Sequence, residues 1–343
     1  MVKITHAQYL EMLLDPDTPD EVIAAYSILT SDGSGAFDPV LMPDPARVEM
    51  TPDQVSAENA MKIGNGIARW RRARRFEIAL TSGDTRPVLV AEGDSWFQFP
   101  VFIEEVIDHL GRNYLISCIS AAGDTAQNMI HGPLGAGRQE YMQELSRQSG
   151  RVRAFLLSAA GNDIIGEDTS SGSAIPVLTK ILRNPGTGSH TAADYIHAPE
   201  LDARVGFLQQ AYLHLIGNIR QDARFAQLPI ILHGYDVPFP YPAGPTERRN
   251  PRYAAKNQWL GRAFDAATVP PQMRRAILAV LIDRLYQMLD DVAAGDPHVH
   301  VVDCRGVLPD LEDWADEIHA TSLGFTKIAA RFRSTLLQLG IGN

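Results

Sequence analysis

The hydrophobic pattern divides the chain near residue 86. Before it, His6 to Leu14 and Pro19 to Leu29 read as two short helices, the second opened by Thr18-Pro19-Asp20-Glu21, a capped start. Ser31-Asp32-Gly33-Ser34-Gly35 reads as a loop, and prolines punctuate Asp38 to Arg47. Thr51-Pro52-Asp53-Gln54 starts a longer helix running to about Leu80, with Arg69, Arg71, Arg72, Arg74 and Arg75 around Trp70. An arginine-rich helix of this kind is expected to be a solvated face paired with acidic neighbours. Residues 1–80 therefore read as a small helical N-terminal appendage ahead of a second domain over residues 81–343.

From Arg86 onward strands and helices alternate, the sign of a parallel sheet with right-handed crossovers. Val88-Leu89-Val90-Ala91 is an apolar run suited to a strand buried on both faces. Further strands are predicted at Tyr114–Ile119, Val152–Leu157, Pro229–His233 and Val299–Val302. Helices are predicted near 100–111, where Pro100 suits a first turn, and after Thr125. Three more are expected near 201–225, 272–293 and 322–339, with Gly340 as a natural stop. The polar stretch 166–200 is too long for a plain connection and reads as a lid or surface insertion, and 236–271 is a second irregular segment, rich in proline and aromatics. The expected fold class is α/β.

Length and composition narrow the function classes. The 343 residues suffice for one large α/β domain plus an appendage. A net charge of -10 argues against general nucleic-acid binding. No window approaches the ~18 apolar residues of a membrane span, and the first residues lack an apolar signal core, so the expected location is cytoplasmic. Cys118 and Cys304 are expected to be reduced, packed thiols, and no cysteine or histidine spacing matches a metal site.

The candidate chemistry lies at the carboxyl ends of the predicted strands, where ligands bind in open α/β sheets. Gly93-Asp94-Ser95 follows the first strand, Ala122-Gly123-Asp124-Thr125 the second, and Gly161-Asn162-Asp163 the third. Asp316 and His319 follow the fifth, three residues apart, so the carboxylate can face the imidazole. A serine hydroxyl becomes a useful nucleophile only when an imidazole accepts its proton. The imidazole in turn needs a carboxylate to fix its tautomer. Candidate donors to an oxyanion are the backbone N–H groups of Ser95 and Gly123 and the Asn162 amide. Asp236, after the fourth strand, is expected either to contact substrate or to stiffen a loop. Gly132 to Gly137 fits neither a dinucleotide nor a phosphate-loop pattern and reads as a loop. No Gly-x-Ser-x-Gly elbow occurs.

These four segments, in this order, resemble the SGNH (GDSL-type) hydrolases. Trp96 stands where that family's name-giving leucine would be, and Ala320 follows the histidine where proline is common. The resemblance covers about residues 86–343. It implies a three-layer α/β/α sandwich around a five-stranded parallel sheet, flavodoxin-like, and no cofactor. It makes Ser95 the nucleophile, His319 the general base and acid, Asp316 its partner, and Ser95, Gly123 and Asn162 the oxyanion hole. The expected activity is hydrolysis of a small-molecule ester or lipid through an acyl-enzyme. Trp96, Phe97, Phe99, Phe239 and Tyr241 are candidates for an apolar acyl pocket. The rival expectation is a signalling or adaptor protein that recruits a protein partner through residues 1–80.

Overall fold

A computed structural model describes residues 3–31, 39–51, 64–99, 102–131, 139–168, 173–244, 247–249 and 260–342. Its centre is a sheet of five parallel strands: β5 (Val88–Gly93), β6 (Leu115–Cys118), β7 (Val152–Ser158), β10 (Ile230–His233) and β11 (Val299–Val302). Across the sheet they run β6-β5-β7-β10-β11. Numbered by place in the chain, that is 2-1-3-4-5, the flavodoxin-like order. Every residue of β5 is buried, as its apolar run requires. The order reverses between β5 and β7, and the crevice at that reversal is where such sheets bind ligands.

Helices cover both faces, giving three layers. On one face α4 (Val106–Leu110) packs on α12 (Ser322–Gln338). On the other, α9 (Ala198–Gln221) packs on α5 (Ala126–His131) and α11 (Pro271–Ala294). α6 (Glu140–Arg147), an amphipathic helix burying Tyr141 and Leu145, contacts β5. One large apolar core joins the sheet to these helices. Cys118 and Cys304 are buried free thiols, and no described helix is long and apolar enough to cross a membrane.

Several elements differ from the sequence expectation. α1 (His6–Leu14) forms as predicted, with Thr5 and Gln8 closing a capping box. The second helix stops early: α2 covers only Asp20–Ala25, and Ser27–Ser31 leaves as β2, antiparallel to β3 (Pro39–Pro43). Ser27 explains the switch, because its hydroxyl donates to Ile23 O (2.8 Å) and bonds the Tyr9 hydroxyl (2.9 Å). β1 (Ile4–Thr5) and β4 (Val48–Glu49) pair in parallel, so the segment is mixed rather than all-helical. Its own small core holds Tyr9, Leu13, Ile23, Leu41 and Val48.

The long arginine-bearing helix, α3, is described from Gly64 to Thr81; its expected start at Thr51 to Gln54 lies largely outside the described residues. It packs on edge strand β6, where Phe76, Val88 and Leu115 cluster. Only part of it is the solvated face expected. Arg69 and Arg75 pair with the partly exposed carboxylates Glu140 and Asp20. Arg71 is 1% exposed and donates to the carbonyls of Met12, Leu13, Asp15 and Thr18, which neutralises the carboxyl end of α1.

The helix expected near 100–111 begins only at Val106, and Pro100 lies outside the described residues, as does Gly132 to Gly137. The buried Glu105 carboxylate accepts the Phe99 N–H (3.0 Å), and the Val106 N–H reaches Trp96 O (3.4 Å). The chain there wraps the Ser95 turn before it can coil. Stretch 166–200 contains β8 (Glu167–Asp168), β9 (Ser173–Pro176) and α8 (Val177–Ile181). α8 buries Val177, Leu178 and Ile181 in the main core, so its described part is packed structure. Stretch 236–271 contains α10 (Gly261–Ala266).

Candidate active site

The turn after β5 is set by contacts that its sequence dictates. A Cβ on Gly93 would lie 2.7 Å from Ser158 Cβ and 2.9 Å from Ser158 O, so only glycine lets β5 and β7 approach this closely. Asp94 then folds the chain over. Its backbone carbonyl accepts the N–H groups of Phe97 and Gln98 (both 3.0 Å), and its Oδ1 accepts the Trp96 N–H (3.0 Å). The same carboxylate accepts the Ser158 hydroxyl (2.7 Å) and the Tyr235 hydroxyl. Burial raises the Asp94 pKa, and the Tyr235 and Ser158 bonds pull against that rise.

This turn presents Ser95 to His319. The Ser95 hydroxyl lies 2.8 Å from His319 Nε2, and His319 Nδ1 lies 2.7 Å from Asp316 Oδ2. Asp316 Oδ1 accepts the backbone N–H groups of Ile318 (2.8 Å) and His319 (2.7 Å), which curls the segment so that carboxylate and ring face each other. An ionised carboxylate only accepts, so Nδ1 carries the proton and Nε2 is left to accept from the serine. Trp96 Nε1 donates to Ile318 O (3.0 Å), and the Phe99 ring lies 4.5 Å from the imidazole. Arg249 donates to Asp316 O (2.8 Å). The buried Glu317 carboxylate accepts the N–H groups of Tyr241 (2.8 Å), Leu260 (3.0 Å) and Gly261 (3.1 Å). These bonds tie the histidine loop to Tyr241, Arg249, Leu260 and Gly261.

Of the two further segments, that of Asn162 lines one cavity with Ser95. Asn162 opens α7 (Gly161–Ile165), after Ala160 in the left-handed region at φ 87°. Its Nδ2 donates to Asp124 O (2.7 Å), which joins it to the loop of Gly123, where φ is +83°. Asp163 turns the other way and accepts the Ala126 N–H (2.7 Å) at the start of α5. Burial raises Asp163 to about 6, with Asp94 adding to the rise, and burial likewise raises Asp124 to about 6.

Helix α3 clamps both loops. Arg72 donates to Phe97 O (2.6 Å), to Asp108 (2.9 Å) and to Glu105, whose carboxylate is fully buried. Asn65 makes two bonds with Ala122, accepting its N–H (2.9 Å) and donating to its carbonyl (3.0 Å). The sequence reading placed Arg72 only on a solvated arginine-rich face and did not single out Asn65.

An apolar cavity of about 90 Å³ opens beside the serine. Ser95, Trp96 and Asn162 lie in its wall together with side chains of α7, α9 and α11. Of the five aromatic candidates for a pocket wall, only Trp96 lines it. Phe97 stacks in the core on His233, Phe99 packs on His319, and arginines cover Phe239 and Tyr241. Asp236 forms part of the wall, but its oxygens accept the N–H groups of Val237 (2.7 Å), Gly306 (2.8 Å) and Leu308 (2.6 Å). Those bonds are the loop-stiffening alternative. Beneath the site His233 is fully buried between Trp96 and Phe97, and burial lowers its pKa to about 3.

No protein-family model matches the chain, and no curated protein matches it in sequence. Solved structures of similar shape do exist. An extracellular lipase from Streptomyces rimosus is 11% identical at a TM-score of 0.41, covering 72% of this chain and 99% of its own. An acetyl xylan esterase from the rumen bacterium Butyrivibrio proteoclasticus is 14% identical at a TM-score of 0.40, covering 74% and 64%. A Clostridium thermocellum family 3 carbohydrate esterase is 11% identical at 0.39, covering 75% and 100%. All are distant likenesses; the fold stands on this chain's own sheet order and register.

Proposed function

We propose that the chain is a serine ester hydrolase of the SGNH type, acting through an acyl-enzyme. One observation carries the reading: the unbroken bonded line from Ser95 Oγ through His319 to Asp316, at 2.8 and 2.7 Å. In this mechanism His319 Nε2 takes the hydroxyl proton as Ser95 Oγ bonds to the ester carbonyl carbon. Asp316 Oδ2 holds Nδ1–H and stabilises the imidazolium. The oxyanion rests on the N–H groups of Ser95 and Gly123 and the amide of Asn162. Collapse breaks the carbon–alkoxy bond, and His319 gives its proton to the departing alcohol. Water then attacks the acyl-serine, losing a proton to Nε2, and the acid leaves as Ser95 regains its hydrogen.

The position at the β5/β7 reversal of strand order supports this reading, since ligands of open α/β sheets bind there. So do the bonds from α3 to both loops, which tie residues 64–81 to the framework around Ser95. The test is Ser95→Ala together with an organophosphorus fluoride. The native chain should hydrolyse p-nitrophenyl esters and become modified at Ser95. The variant should do neither while keeping its circular dichroism and melting temperature. Ester turnover that survives Ser95→Ala rejects the mechanism.

A further inference from the structure

We infer that the cavity beside Ser95 is an acyl pocket for a straight aliphatic chain of roughly four to six carbons, which narrows the hydrolase reading and rests on it. Apart from Trp96, Tyr235 and Trp314, the apolar wall is aliphatic, with Ile165 from α7, Val205 and Leu208 from α9, and Leu278, Leu281 and Leu285 from α11. The two carboxylates in the wall are already largely engaged, each accepting three hydrogen bonds from the protein. Asp94 is engaged by Tyr235, Ser158 and the Trp96 N–H, and Asp236 by three backbone N–H groups. A hydroxyl entering here would leave water for a wall that is mostly aliphatic, which disfavours it. A methylene entering gains about fourfold in binding for each group buried.

Geometry selects the acyl half of the ester over the alcohol half. The leaving oxygen must sit where His319 Nε2 can protonate it. His319 takes no part in the cavity wall, whereas Ser95 and Asn162 do. The cavity therefore opens on the side of the carbonyl carbon away from the departing alcohol. Its size sets the length. An apolar cavity of about 150 Å³ accepts benzene, so about 90 Å³ accommodates a few methylenes past the carbonyl.

The test compares kcat/KM on p-nitrophenyl acetate, butanoate, hexanoate and dodecanoate. The value should rise at least tenfold from acetate to butanoate or hexanoate and gain nothing further at dodecanoate. Val205→Phe, which fills the cavity, should cut the hexanoate-to-acetate ratio at least tenfold. Leu281→Ala, which enlarges it, should move the optimum towards octanoate. Acetate as the best substrate, or a length profile that neither variant moves, overturns the pocket. A direct readout separates this failure from failure of the hydrolase reading: calorimetric binding of hexanoate to the Ser95→Ala chain. If no ester is turned over but hexanoate binds and Val205→Phe abolishes that binding, the pocket stands without the enzyme. Ester turnover with no hexanoate binding to Ser95→Ala, and no length preference, removes the pocket and leaves the enzyme.

Discussion

At the residue scale, Asn162 and His233 illustrate two kinds of polar group in an apolar setting. Asn162 is tied by one amide N–H to Asp124 O, which fixes the plane in which its other N–H points. If it is an oxyanion donor, Asn162→Ala should lower kcat by a factor of about 100 to 1,000 with little change in KM, measured by steady-state kinetics on butanoate esters. His233 is instead a buried neutral base. Its Nε2 has no partner, and burial holds its pKa at about 3, against 6.5 for an ordinary histidine. Between those values the unfolded chain binds the extra proton, so this residue makes stability fall as pH drops from 6.5 towards 3. Asp124 and Asp163 act oppositely. Both are raised to about 6, so between the ordinary aspartate value and 6 the folded chain binds more protons, and they favour folding as pH falls. Comparing the native chain with His233→Phe isolates the histidine. Urea unfolding at several pH values should show the native chain losing up to about 1.4 kcal/mol per pH unit relative to the variant in that window. A constant difference between the two would mean that His233 is already protonated in the fold.

At the element scale, the helix α3 is the part of the site that pattern reading could not supply. The strand ends were legible because each element carries its own local signature: an apolar run, then glycine and small polar residues, then helical spacing. Ser95 and Asn162 follow such ends, Asp316 and His319 lie in the segment after the fifth strand, and the structure brings Ser95, Asp316 and His319 into one bonded line. Arg72 carries no such signature. A cation on a helix reads the same whether it faces water or a buried carboxylate, and its partner Glu105 lies 33 residues away. In the same way the short helix α4 and the strand β2 depended on contacts that only the folded chain makes. The clamp makes a quantitative claim. Arg72→Met strands Glu105 without its cation in a dry setting and should destabilise the protein by about 3–5 kcal/mol in chemical unfolding. The double variant Arg72→Met with Glu105→Gln should recover most of that, because Gln keeps an acceptor for the Phe99 N–H without the charge. Asn65→Ala tests the second arm. Freeing Ala122 should lower kcat through a looser Gly123 loop, with the hexanoate-to-acetate ratio unmoved because the acyl pocket lies elsewhere.

At the scale of the whole molecule, the bonds from α3 predict a functional boundary inside the N-terminal segment rather than at its end near residue 80. The described residues ahead of α3 have their own apolar cluster of Tyr9, Leu13, Ile23, Leu41 and Val48, and Arg71 joins them to α3 through their backbone carbonyls. Removing them would expose the Arg71 guanidinium to water, which solvates it well, and would leave Arg72, Asn65 and Phe76 in place. Removing α3 as well would uncover Phe76's partners Val88 and Leu115 on the sheet edge and leave Glu105 unpaired. A chain of residues 64–343 should therefore fold and retain ester hydrolysis, while one of residues 82–343 should aggregate or melt roughly 10 °C lower, with turnover lost. Calorimetry and esterase assays on the two truncations decide the matter. Equal melting temperatures and equal kcat would make α3 a dispensable cover. Loss of folding in both would instead make the whole N-terminal segment one cooperative unit with the sheet.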